Sequence, residues 1–273
     1  MDDAKNESRV TPQVLERFRS VQQFITRQSH PSLLDEWAEK LYFAEVDGLL
    51  HVEFYGSPYE ESFEAFSSLL MDATVAAILR SLAFRGPDEG ANGTRNWDFS
   101  RLLESGVVFP NLTSLFVEPT TPEHHNQTIV GPVYDEEGQI GRFLAKTPVL
   151  QSLTVPCAPN SSFFQQGTRP LALLRVDTGY DHQNFVQNLS RSACFPELRL
   201  LDFGDYSQRY INYPAACTPF EHYVQLATSP PFAPVRKLVL RNTVLTPDQV
   251  QQLRDARPDV TLRLVQCYGE YVR

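Results

Sequence analysis

The adjacent histidines His124 and His125 stand among Glu118, Glu123, Asp135, Glu136 and Glu137. Imidazoles and carboxylates in one segment are the raw material of metal ligation or acid–base chemistry. Neighbouring loop residues lack the i, i+4 spacing with which a helix turns two imidazoles toward one metal, so the pair reads as part of a solvated polar loop. Asp177, Asp181 and His182 form a second cluster, directly after a strand-like apolar run. A hydrolase built there would also need an activated nucleophile and an oxyanion site, and no GxSxG string occurs. Cys157, Cys194, Cys217 and Cys267 are spaced by 37, 23 and 50 residues, with no CxxC or Cys/His metal spacing, and read as buried free thiols. Only 13 of 273 residues are glycine, and no GxGxxG or P-loop string is present. The expectation is a non-catalytic chain without cofactor or metal.

What organises the chain is a repeated phrase: a proline, one or two residues, then apolar positions spaced L-x-x-L-x-L. It is clearest at Phe109-Pro110-Asn111-Leu112-Thr113-Ser114-Leu115-Phe116-Val117. It returns at Pro148 with Leu150, Leu153 and Val155, and at Pro196 with Leu198, Leu201 and Phe203. Looser copies follow Pro170, Pro234 and Pro258, and two without proline lie upstream at Leu79, Leu82, Phe84 and at Leu49, Val52, Phe54. The central apolar positions are 52, 82, 115, 153, 174, 201, 238 and 262, with steps of 21 to 38 residues. The last two apolar residues of each phrase alternate with others, which predicts a short strand with one face to a core. Segments of helical spacing lie between: Phe63, Phe66, Leu69, Leu70; Leu102, Leu103; Ile140, Phe143, Leu144; Phe185, Val186, Leu189. Thr246-Pro247-Asp248-Gln249 is a capping box ahead of Val250 and Leu253. Such a unit cannot bury its apolar face alone, and stacking gives a continuous core.

These phrases resemble a leucine-rich-repeat protein of the irregular, ribonuclease-inhibitor-like type, similar to compact bacterial cytoplasmic examples. The resemblance covers roughly residues 45–266. It implies an α/β solenoid of about seven to eight units, with a parallel sheet on the concave face and helices or loops on the convex face. The asparagine that this family carries after its strand is replaced here by Ser57, Pro87, Thr120, Ala158, Gly179, Tyr206 and Thr243. Residues 1–44 are expected to be an N-terminal helical cap. Thr11-Pro12 with Val14, Phe18, Val21 and Ile25 supplies one amphipathic helix, and Leu33, Leu34, Trp37, Leu41 and Phe43 complete the cap. Residues 45–273 are the repeats of the same compact domain.

Three connections, 86–97, 118–138 and 204–219, are long and rich in turn formers. The last holds Tyr206, Arg209, Tyr210 and Tyr213, a composition suited to a binding loop; the alternative is a loop folded onto the helices with its tyrosines half buried. The strand residues that flank the core positions face outward. Among them Tyr55, Phe116, Leu173 and Leu200 are large and apolar, and Arg85, Glu118, Arg175, Asp177, Asp202 and Arg241 surround them. An apolar anchor ringed by charge is the composition of a binding hot spot.

Net charge is −9, unevenly divided: residues 1–136 carry 22 acidic and 10 basic side chains, residues 137–273 carry 11 and 14. Such a balance argues against nucleic acid or an anionic membrane as partner. The opening MDDAKNESRV shows no basic region leading into an apolar stretch, and no apolar run of about 20 residues occurs, so a cytoplasmic location is expected. The expected function is a protein–protein interaction module that binds a protein partner on its concave face. By fold analogy it would be an inhibitor or immunity protein that neutralises a toxic enzyme. The alternative is an enzyme, or an accessory scaffold subunit of one, acting through the acidic loops. Replacing Leu115 or Leu153 by Ala should cost about 2–5 kcal/mol in denaturant unfolding, as central buried positions, while Ser114 and Thr154 are expected to tolerate change because they face outward.

Overall fold

The repeated proline belongs to a turn that launches a strand. In the computed structural model, which describes residues 10–29, 35, 37–90, 93–208, 210 and 212–268, Leu112 N donates to Phe109 O at 3.3 Å, Leu150 N to Thr147 O at 3.2 Å, Leu198 N to Phe195 O at 3.2 Å and Val260 N to Arg257 O at 3.1 Å. In each, proline is the second of the four turn residues, where its fixed φ suits the bend.

The strands so launched form a nine-stranded sheet. Its members are β1 (Lys40–Val46), β2 (Leu49–Tyr55), β3 (Leu79–Arg85), β5 (Ser114–Val117), β7 (Ser152–Val155), β8 (Leu173–Asp177), β9 (Leu200–Gly204), β10 (Lys237–Arg241) and β11 (Thr261–Val265), adjacent in that order. All pairs are parallel except β1 with β2. Val52, Leu82, Leu115, Leu153, Leu174, Leu201, Leu238 and Leu262 are partners in consecutive register, so the eight central positions form one row. At the strand entrances a second row of bonds runs Thr113 N to Arg80 O, Gln151 N to Thr113 O, Ala172 N to Gln151 O, Arg199 N to Ala172 O, Arg236 N to Arg199 O and Thr261 N to Arg236 O.

Helices line one face of the sheet: α1 (Pro12–Gln28), α2 (Glu61–Leu70), α3 (Ala73–Ala76), α4 (Ser100–Glu104), α5 (Gln139–Ala145), α6 (Phe185–Ser190), α7 (Phe220–Thr228) and α8 (Pro247–Ala256), with 3₁₀ turns at Ser161–Gln165 and Pro230–Phe232. Successive helices touch one another in near chain order. Their apolar residues meet those of the strands in one core, in which Phe54, Phe66, Phe84, Phe99 and Phe143 make a continuous series of ring contacts. The expected capping box forms as read, with Thr246 and Gln249 capping α8 reciprocally; in addition Thr11 Oγ1 accepts Val14 N at the start of α1.

Two expectations are corrected. The N-terminal cap is not purely helical: after α1 the chain enters β1, and Leu41 and Phe43 are strand residues whose neighbours in β2 are Phe54 and Val52. Alternation satisfies those two side chains as well as a helix would. Trp37 is largely exposed, and Leu33 and Leu34 lie outside the described residues. The long connections 86–97 and 118–138 are not loops throughout. They contribute β4 (Thr94–Trp97) and β6 (Gln127–Val130), a separate parallel pair. Its apolar anchor is Trp97, fully buried against Phe54, Phe63 and Phe84. Four-residue strands reading Thr-Arg-Asn-Trp and Gln-Thr-Ile-Val carry too few alternations to register as strands.

Asp72 joins α1 to the helix layer. Its Oδ1 accepts Thr74 N at 2.7 Å and Val75 N at 3.3 Å, capping α3, and its Oδ2 meets Arg17 Nη1 at 2.7 Å. Hydrogen bonds from Thr74 and then Arg17 hold the carboxyl well below the usual carboxylate range. The ion pair is about a third exposed on each side and adds little, so the cap dominates. Asp72→Ala should lower stability by about 1 kcal/mol at pH 7. Because the folded carboxyl is the stronger acid, the contribution is complete above about pH 4 and is lost as pH falls through the lower folded value. Urea unfolding of wild type and variant should therefore converge with acidification.

Candidate functional site

Strand alternation turns one set of side chains toward the helices and leaves the other as a continuous face across the sheet. Inner strands show this directly, alternating half-buried and buried positions. On the open face, residues in register lie side by side. Glu53, Ala83, Phe116, Thr154, Arg175, Asp202, Val239 and Arg263 make one row, and Leu173, Leu200 and Lys237 belong to the row below.

Two ionic clusters occupy this face. In the first, the Arg85 guanidinium lies 4.4 Å from the centre of the Phe116 ring. Arg85 also meets Glu53 and Glu118, each at 3.3 Å, and Glu118 accepts Gly86 N. Tyr55 is half buried at the same strand ends. A cation between two carboxylates over an aromatic ring fixes the ring's orientation as well as its own. In the second cluster, Arg241 bridges Asp177 and Asp202, reaching Asp202 Oδ1 with Nε at 2.6 Å and Asp177 with Nη2. Arg175 approaches Asp202 at 4.0 Å from the other side. Burial alone would push the Arg241 guanidinium down, but the charges and hydrogen bonds of Asp177 and Asp202 hold it above its ordinary value. The residue is a fixed cation.

Gly204 makes the second cluster possible. It lies between Asp177 on β8 and Arg241 on β10, in register with both. A Cβ built there would stand 2.6 Å from Asp177 Oδ1 and 2.8 Å from Arg241 Nη1. Only a residue without a side chain lets the guanidinium cross one strand to the next. Below this bridge a polar cavity of about 50 Å³, lined by Asp177, Gly204, Asp205, Arg241, Asn242 and Cys267 among others, opens at the carboxyl ends of the strands. It has room for a few waters, not for a metabolite.

The structure brings Arg85, Phe116 and Glu118 together, and likewise Arg175, Asp177, Asp202 and Arg241; Leu173 and Leu200 are half-buried neighbours across β8 and β9. The charges expected to ring the apolar residues are paired with one another. Thr154, expected to face solvent, is only 7% exposed, since its register neighbours are the large side chains of Phe116 and Arg175. Tyr206, expected in a binding loop, is 4% exposed. Its ring stacks on Tyr210 at 3.9 Å, and both hydroxyls donate to Tyr180 O at 3.0 Å. The loop is held beneath by the buried Asp205 carboxylate, which accepts from Tyr206 N, Thr218 N and Tyr223 Oη. Tyr213 keeps a half-exposed surface, and Arg209 lies outside the described residues.

The histidine loop is pinned rather than solvated: His125 Nδ1 meets Asp88 Oδ2 at 2.7 Å. Burial and then the charge of Arg95 push His124 below its ordinary value, leaving it neutral near pH 7. Asp181 and His182 do not act with Asp177; they accept Gln183 N and Asn184 N in the turn before α6. Glu136, nearly fully buried, spends its oxygens on Ile140 N and Asn160 N. Sequence reasoning placed Glu53 and Gly204 on the outward face without a role in the site, and missed Asp205. The role of Gly204 is legible once the register is known, because Asp177, Gly204 and Arg241 then share a row. The thiols of Cys157, Cys194 and Cys217 are buried and free, and burial pushes that of Cys217 up to about 12. No helix among the described residues is long and apolar enough to cross a membrane.

Compared with known proteins, the chain matches no family model, and no curated protein matches it.

Gly204→Ala should force Arg241 off Asp177 and destabilise the protein by about 1–3 kcal/mol. With Arg241→Ala already in place the same change should cost markedly less, and a double-mutant cycle in urea reads that coupling.

Proposed function

We propose that this protein is a non-catalytic protein–protein interaction module of leucine-rich-repeat, solenoid architecture, which binds a protein partner on the open, concave face of its sheet. The observation that carries the reading is the state of that face before any partner arrives. Arg85 already rests on Phe116 between two glutamates, and Arg241 is already held by two aspartates. A surface whose long side chains are ordered in advance loses little entropy on binding. Half-buried Phe116, Leu173 and Leu200 supply apolar contact between the charged groups. An inhibitor or immunity role toward a toxic enzyme, in the cytoplasm, is the particular form of this reading that fold analogy favours. An enzyme or an accessory scaffold subunit working through the acidic loops has less support, because His125 is engaged by Asp88 and Glu136 by backbone amides.

The test is affinity capture from the native host with the wild type, Phe116→Ala, Leu200→Asp and the helix-face variant Arg254→Glu. One protein should be captured stoichiometrically by wild type and by Arg254→Glu. Phe116→Ala should weaken the purified complex by about 2 kcal/mol, roughly 30-fold, at an unchanged melting temperature. Capture that survives both face changes, or that Arg254→Glu alone abolishes, would move the site off the sheet.

A further inference from the structure

The two edges of the nine-stranded sheet are treated differently. At the β1 edge, α1 packs alongside, Gln22 Nε2 donates to Leu41 O at 2.6 Å and Ser29 Oγ to Glu39 O at 3.3 Å, so side chains blunt the strand. The β11 edge has no such cover among the described residues. Thr261 N donates to Arg236 O, and Val265 O accepts Asn242 N. In a parallel ladder the residues that bond one neighbour alternate with those that face away. Thr261, Arg263 and Val265 thus spend their backbone groups on β10, and Leu262 and Leu264 direct theirs outward. An exposed edge of this kind is a template for another strand unless it is blocked.

The side chains say the same. Leu264 is 40% exposed, while its register partner Leu240, one strand in, is 1% exposed. Leu262 and Leu264 are apolar residues on the helix side of the sheet with nothing beyond them among the described residues. On the open side, Arg263 and Lys237 are exposed, and neither has an ionic partner among the described residues. Asp202, two strands in on the row of Arg263, is taken by Arg241 and Arg175. Every other arginine of the face is matched.

We infer that β11 is a docking edge for an extended segment of a partner protein in which acidic and apolar residues alternate. The segment adds as a further strand, its amides and carbonyls bonding those of Leu262 and Leu264. Its apolar residues cover Leu262 and Leu264 on the helix side, and its carboxylates meet Arg263 and Lys237 on the open side. Period-two alternation makes these demands compatible in one peptide. A second copy of this chain fits less well: the antiparallel register that sets Leu262 opposite Leu264 of the copy also sets Arg263 opposite itself, and like charges directly across strands repel. This edge is distinct from the Phe116 face and its test does not depend on that reading.

The experiment uses the full chain and two fluorescent, end-blocked octapeptides, one alternating Glu and Val, the other Lys and Val. The acidic probe should bind saturably by fluorescence anisotropy, about five-fold or more tighter than the basic one, with opposite-charge cross-strand pairs as the source. Arg263→Glu, an exposed change, should reverse that preference at an unchanged melting temperature. Leu264→Pro removes an outward donor and no β10 bond, and should abolish binding. Hydrogen exchange should show the Leu262 and Leu264 amides fast in the free protein and slowed by the acidic probe. The inference is overturned if the two probes bind alike, or if Arg263→Glu leaves the preference intact. It is equally overturned if Phe116→Ala weakens the acidic probe while Arg263→Glu does not, or if the chain self-associates and protects those amides without any probe.

Discussion

A parallel strand cannot satisfy its backbone or bury its apolar face without a neighbour on each side, and here the next 21 to 38 residues supply that neighbour every time. The consequence is a single ladder running from β2 to β11, in which the register of each pair is inherited by the next. One row of leucines and valines crosses the whole sheet because each strand repeats the same spacing from its launching turn. The helices follow: they lie between the strands in the chain and touch one another in near chain order, so the helix layer is ordered by the sheet. Sites on the inner strands of the open face are then rigid by construction, since each of those strands is bonded to a neighbour on both sides.

The same constraint explains where polar chemistry is found. Side chains facing away from the helices lie about one strand spacing from like positions on either side, close enough for arginine and carboxylate to meet across one or two strands. Arg85 serves Glu53 and Glu118 in this way, and Arg241 reaches Asp177 across Gly204. Such matched charges contribute orientation more than net affinity, and they leave the apolar side chains between them in defined positions. The buried ionisable groups off the face have a different task. Asp205 and Glu136 tie irregular segments to the core through backbone amides, and burial raises the affinity of both for a proton.

The ladder also has ends, and the ends are unequal. The first is closed by an antiparallel strand and a helix whose polar side chains reach the edge carbonyls. The last carries the residues of an interior strand on a border that no other described segment covers. A stack of strand–helix units needs some terminal device to cover its core face, and the bound segment inferred for β11 supplies it.

Spacing in the sequence determined the eight strands of the parallel ladder, their shared register, the capping box at Thr246, and the side of those strands that is buried. It could do so because period-two alternation and turn chemistry are local, and because the phrase recurs often enough to be compared with itself. Tertiary structure alone decided three things. It made a strand pair out of Thr94–Trp97 and Gln127–Val130, whose polar residues show no pattern until Trp97 is placed among the phenylalanines. It buried Tyr206 through its bond to Tyr180 and through the bonds of neighbouring Asp205 to Thr218 and Tyr223, partners that lie beyond any local window. And it matched the charges of the open face, because whether an arginine is free or paired depends on residues 27 to 64 positions away that only the register brings alongside.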